Sequence, residues 1–473
     1  MKRQLLETEQ KALEINLDDK VYGAFAEIGA GQEVARYFFQ VGASSGTIAK
    51  TVSAYDKVVS DKIYGIQGTG RYVCESRVYK MLDHEYALMQ DRLDTERPDT
   101  CFFAFADTVA AINFSKTIKG DGWLGLRFQL DPQGAPNDLV IHARMLDQDN
   151  KLQQQAIGIL GVNLLYACYR YKHDPELMVE SLLDGLRGRV SVDMVRLSGP
   201  DFENVDNRWL SLMLVKHQLT DVAIFNADGQ SIHASEFLYK KHVMVVRGSF
   251  RPATLVNMDM IKSSFQQFRQ DASVESSKTY LLTEITMDNL CSEGELNVKD
   301  FLDRADLLCA MGQTVVISNC QRQSKLIDYL SEYKVQRLGL VIGIQDLLKM
   351  MSNTFLENQE KSLLAAFGDL FTQKVTYYVY PALQEGSGEI LQCNDLPVPE
   401  EITFLYQHLL GSKQIRDIHG YKPEVLHIFS TQVLQMIQND EEGWERMVPE
   451  KVAELIKEKC LFGFPYERME FEY

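Results

Sequence analysis

A chain of 473 residues exceeds what one hydrophobic core usually organises, so two or more domains are expected. Its 45% hydrophobic and 24% charged residues are those of a globular protein and exclude extended disorder. A formal charge of −17 excludes a sequence-independent nucleic-acid binder, which needs a basic surface to displace counterions.

Residues 1–20 have the spacing of an amphipathic helix and lack the apolar run of a signal peptide. GAFAEIG then reads as a short strand running into Gly29 and Gly31, with QEVARYFFQ as the following helix. A strand, a glycine turn and a helix N-terminus offer backbone N–H groups to a phosphate. A third glycine is missing at Val34, so this is not a dinucleotide fingerprint. GASSGTIAKT lacks the adjacent Gly-Lys of a P-loop but places Lys50 as an accessory charge.

Residues 71–96 form a second helix, and CFFAFAD a buried strand. WLGLRFQL and DLVIHARML flank the turn-rich DPQGAPND, a hairpin signal. From there strands and helices alternate, which predicts parallel strands with helical crossovers and resembles a weak internal duplication. The fold class expected is α/β: two α/β domains with largely parallel sheets and a helical tail from about Glu400. The polar, serine-rich stretch 263–278 is the expected linker between an N-terminal domain, 1–262, and a C-terminal domain, 279–473.

Three predicted strands finish on an arginine: DLVIHAR at Arg144, VSVDMVR at Arg196 and VMVVR at Arg247. Ligands of open α/β sheets bind outside the carboxyl ends of the strands. Guanidinium forks converging there, with Arg251 nearby, would hold a phosphate or carboxylate. Salt bridges to Asp147, Asp193 or Asp206 are the alternative use of these arginines.

DVAIFNADGQSIHASE resembles the first motif of the haloacid dehalogenase superfamily, with Asp228 and Gly229 in place and Asn226 where the nucleophile would stand. An amide cannot act as that nucleophile, and a turn after an edge strand accounts for NADG. TVVISN is a passable match to the second motif, at Ser318. Asp228 and His233 are the acid–base candidates of this stretch. The eight cysteines show no CxxC spacing and the nine histidines no HExxH or HxGH pattern, so no metal site is indicated. The longest uncharged apolar stretch, 156–169, is too short to span a bilayer, and a cytoplasmic location is expected.

Stretches from FAEIGAGQEVARYFF through NDLVIHARMLD, LQQQAIGILGVNLLYA and SEFLYKKHVMVVRGSFRP to MVPEKVAELIKEKCLFGF resemble a widespread family of bacterial proteins of this length. Members carry labels such as nicotinate-nucleotide adenylyltransferase or TonB-dependent receptor. The first label implies an HxGH motif, which this chain lacks, and the second a signal peptide and barrel strands. The expected function is therefore binding of a small anionic molecule, phosphorylated or carboxylated and of nucleotide type among the options. The cofactor is left open by the sequence, with Mg²⁺ among the options. The alternative is a non-catalytic homo-oligomer, for which 23 Phe and 21 Tyr supply interface anchors.

Overall fold

The computed structural model describes residues 3–66, 71–291, 294–352, 362–384, 386 and 388–465. The chain divides into two compact units, Met1–Ala223 and Ile224–Tyr473, each α/β.

The first unit begins with α1 (Thr8–Asn16) and is built on six strands: β1 (Val21–Gly29), β2 (Ile48–Ala54), β3 (Cys101–Ala110), β4 (Asp121–Phe128), β5 (Asn137–Met145) and β6 (Val190–Ser198). Their order is β2-β1-β3-β4-β5-β6. β1 runs parallel to both β2 and β3, because α2 (Val34–Val41) carries the chain back across the sheet. Between β2 and β3 lie α3 (Lys57–Tyr64) and α4 (Glu75–Leu93), and α4 buries Val78, Met81, Leu82 and Met89 against the sheet. The expected hairpin forms between β4 and β5.

The expected parallel crossover from β5 to β6 does not form; these strands are antiparallel. α5 (Asn150–Arg170) takes the chain back along the sheet, but α6 (Pro175–Glu180) and the turn after it return it a second time. Asn163 in the middle of α5 donates to Leu182 O and Asp184 O and fixes that return. Leu146 N then donates to Arg189 O, so β6 starts where β5 ends. α7 (Asn207–Lys216) follows β6 and packs on it.

The second unit carries the end of β7 (Val222–Phe225), within which the division falls, and β8 (His242–Arg247), β9 (Thr279–Thr286), β10 (Val315–Ser318), β11 (Arg337–Gly343) and β12 (Val375–Tyr380). A short hairpin, β13 (Ala382–Leu383) and β14 (Ile390–Leu391), precedes β15 (Ile415–Asp417). The main sheet has the order β15-β12-β11-β8-β9-β10-β7. From β8 the chain winds outward through β9 and β10, then crosses to build β11, β12 and β15 on the other side, all in parallel. Val243–Val246 and Leu338–Ile342 are buried, as strands covered on both faces must be.

After α8 (Ala234–Leu238) come the crossover helices α9 (Leu255–Arg269), α11 (Val298–Ala310) and α12 (Gln323–Glu332). Short α10 (Met287–Leu290) and α13 (Ile344–Met350) follow the ends of β9 and β11. The expected linker 263–278 is not one. Its first half is the last two turns of α9, and the division between units falls after Ala223. Ser263 and Ser264 misled because both are buried, with hydroxyls donating back to Asp259 O and Ile261 O. The tail is helical as expected, with Ser430–Gln438 and Glu450–Lys459 closing around buried Trp444.

Candidate functional site

In the first unit the glycine turn after β1 is shaped by carboxylates rather than left open. Glu27 Oε1 accepts from Val34 N at 2.7 Å and Ala35 N at 3.4 Å, so a side chain already fills the start of α2. Asp107 pairs with Glu27 in register on β3 and accepts from Ile28 N at 3.2 Å. Gly29 has φ +75°, and a Cβ on Gly31 would lie 2.0 Å from Asp107 Oδ1. Gly29 is required by its φ and by the approach of Val109 O, Gly31 by the approach of Asp107, and the place assigned to a phosphate holds two buried carboxyl groups. Burial raises both pKa values, helped by the Glu33 charge at Glu27 and by the Glu27 charge at Asp107: Glu27 to about 7 and Asp107 well above its ordinary value.

Lys50 lies on β2 with Nζ 2.5 Å from Glu85 Oε2, and Tyr64 donates to the other oxygen of Glu85 at 2.8 Å. Arg144 pairs with Asp193 at 3.2 Å and Arg196 with Glu75 at 2.5 Å. Because β5 and β6 are antiparallel, Arg144 stands opposite Ser191 and Arg196 opposite Val140, near opposite ends of the two strands. Asp193 also holds His142 Nδ1 at 2.6 Å, with Asp121 Oδ2 3.6 Å from Nε2. Burial opposes charge on this ring, but the two carboxylates outweigh it and raise its pKa to about 9.

In the second unit Asp228 is exposed in the turn after edge strand β7, where Asn226 Oδ1 accepts from Asp228 N and Gln230 N. That is the turn expected of NADG. His233 is buried at the start of α8 with Nδ1 2.7 Å from Ser235 Oγ, and its ring meets Tyr333 edge-on.

Arg247 is different. It ends β8 at the point where strand order reverses, beside a cleft of about 600 Å³. Its Nε and Nη2 donate to Glu284 on β9 at 2.7 and 3.0 Å, and Nη2 and Nη1 donate to Cys320 O and Gln321 O. Glu284 is fully buried and also accepts from Ser318 Oγ at the end of β10. The guanidinium is thus locked in one orientation, with one face toward the cleft.

Beneath the loop after β8, Arg251 Nε lies 2.5 Å from Asp300 Oδ1. Buried Arg304 bonds the same Asp300 and donates to Ser249 O and Asn289 O. Arg251 therefore belongs to the cleft's support, and it is not among the residues lining the cleft. Glu284, Asp300 and Arg304 escaped notice in the sequence, although each is a charge inside an apolar run, as in YLLTEI and FLDRADLL.

Among the described residues no helix is long and apolar enough to cross a membrane. No protein-family model matches the chain, and no curated protein matches it in sequence. Solved structures show partial likeness. The competence/damage-inducible protein CihA of Agrobacterium tumefaciens is 17% identical over 35% of this chain and 98% of its own, with a TM-score of 0.25. A CinA-superfamily protein of Klebsiella pneumoniae is 12% identical over 34% of this chain and 98% of its own, at 0.26. A Vibrio parahaemolyticus protein provisionally assigned as a nicotinate-nucleotide adenylyltransferase is 14% identical over 47% of this chain and 95% of its own, at 0.25. Likenesses at these scores say nothing about the site.

Proposed function

We propose that the second unit binds a small anionic molecule, phosphorylated or carboxylated, in the cleft outside the carboxyl ends of β8, β9, β10 and β11. The observation that supports this reading is Arg247, a cation locked by a buried carboxylate at the switch point of a doubly wound sheet. A preoriented guanidinium loses little freedom when an oxyanion arrives, which is what gives such a site affinity. Ser249, Thr286 and Asn289 add neutral hydrogen-bonding groups around it. Among the described residues no histidine lines the cleft, so acid–base work there would fall to Asp288, Asp346 or Asp369.

The test is thermal stabilisation of the full chain by phosphate, pyrophosphate, sugar phosphates and dicarboxylates. A ligand of the folded state raises stability by about 2.7 kcal/mol at a hundredfold excess over Kd. Arg247→Gln, which keeps a donor toward Glu284 and removes the charge, is expected to abolish that gain. An anion that stabilises the folded variant as well as the wild type would sink the reading.

The second reading, a homo-oligomeric assembly protein, is favoured by an exposed apolar face on and around α3. There Tyr55 is 79%, Val58 60%, Val59 49% and Ile66 76% exposed. Light scattering across micromolar concentrations checks it: association that Val58→Glu abolishes is expected, and a strict monomer ends the idea.

A further inference from the structure

Resting on the anion-site reading, we propose that the ligand is a phosphate monoester carried on a flat heterocycle, a mononucleotide in class. Its phosphate sits at the β10–α12 turn, not at the β8–α9 turn. The strand order β10-β9-β8-β11-β12-β15 is that of dinucleotide folds, in which a glycine-rich turn after the first strand cradles the pyrophosphate.

Here that turn is closed. It reads RGSFRP, with one glycine, and a Cβ on Gly248 would already meet the buried ring of Phe250 at 3.1 Å. Gly248 N donates to Glu284 O, and Pro252 has no N–H to offer. The start of α9 is sealed by a capping box between Thr254 and Asn257. A pyrophosphate finds no cradle there.

The third crossover is built differently. Arg322 is the exposed N-cap residue of α12 and makes no side-chain cap, and Gln323 and Ser324 of its first turn line the cleft. Arg247, whose charge is shared with Glu284, and Arg322 bring guanidinium groups to the cleft, which Lys349 also lines, and such groups hold a phosphate. Gln323 Oε1 is buried with no hydrogen-bond partner and lines the cleft, an acceptor left for a ligand hydroxyl or amine.

Apolar side chains line the cleft as well: Val341 and Ile342 from β11, Met350 from α13, and Ala366 and Leu370 from the helix Leu363–Leu370. A cleft lined by both cationic and apolar side chains suits a ring attached to a phosphate. Asp288, Asp346 and Asp369 also line it, Asp346 paired with Lys349, and carboxylates accept sugar hydroxyls while disfavouring a second or third phosphate.

Calorimetry on the full chain tests this with four probes: inorganic phosphate, purine and pyridine nucleoside monophosphates, the matching nucleosides, and a dinucleotide. One of the monophosphates is expected to bind at least about tenfold tighter than phosphate, its nucleoside or the dinucleotide. Ala366→Phe, which fills part of the apolar lining, is expected to erase that preference while phosphate still binds. Arg322→Gln, a change at an exposed side chain, is expected to weaken phosphate and monophosphate alike by about tenfold.

Phosphate binding that the heterocycle does not strengthen would overturn the mononucleotide class and leave the anion site standing. A dinucleotide that binds tighter than both monophosphates overturns it too. Wild-type affinity in Arg322→Gln overturns the placement of the phosphate. Failure of every probe removes both readings together.

Discussion

Glu284→Ala is expected to cost on the order of 3 kcal/mol of stability, read by urea unfolding, and to abolish anion binding with it. The carboxylate is fully buried and accepts from both Arg247 and Ser318, so its removal strands two donors between β8, β9 and β10. Removing one partner of a buried pair costs about 3–5 kcal/mol, because the other charge loses its compensation. The lower end applies here: Arg247 is 20% exposed and keeps the carbonyls of Cys320 and Gln321. Glu284→Gln leaves an acceptor of the same shape and is expected to cost less. A loss below about 1 kcal/mol in Glu284→Ala would show that Arg247 is held by the two carbonyls alone.

Stability is also expected to fall as pH rises from about 4.5 to about 7, through Glu27 and Asp107. Burial raises the Glu27 pKa in the folded chain from 4.5 to about 7, and Asp107 moves in the same direction. A raised carboxyl binds its proton more tightly when folded. Its contribution is therefore complete below the unfolded value and lost as pH rises through the folded one. For Glu27 the loss is on the order of 3 kcal/mol.

Glu27→Gln keeps an oxygen for Val34 N and removes the titrating group, so its stability should change less between about pH 5 and about pH 7.5 than the wild type's. With Asp107→Asn added, the part of this slope owed to the pair should vanish, leaving that of His142 above about pH 6.5. Equal slopes in wild type and double variant, measured by thermal unfolding across that range, would mean that the pair stays ionised when folded.

Both effects concern charges set inside apolar strands, and these were the least legible parts of the chain. Arg247 could be marked from the sequence because it ends VMVVR, a strand whose type its β-branched run makes plain. Arg144 and Arg196 ended similar runs and were marked with it. Their strands pair antiparallel through a connection whose second reversal leaves no periodic signal, so the three do not share an edge. The spacing of Gly29 and Gly31 fits a phosphate turn, and a glycine turn packed on Asp107 shows that spacing equally well. Alone, FAEIG does not reveal that Glu27 folds forward to fill the helix start.

The α/β class, the β4–β5 hairpin, the NADG turn and the helical tail were determined by the sequence itself. Each rests on periodicity or turn chemistry acting within a few residues. The strand order, the division after Ala223 and the partners of every buried charge were decided by tertiary structure. Those depend on which strand lies beside which, and apolar strands such as VMVV, VVIS and LGLVI are nearly interchangeable as neighbours. Only when β8, β9, β10 and β11 lie side by side do Glu284, Ser318 and Arg247 meet and the cleft take shape.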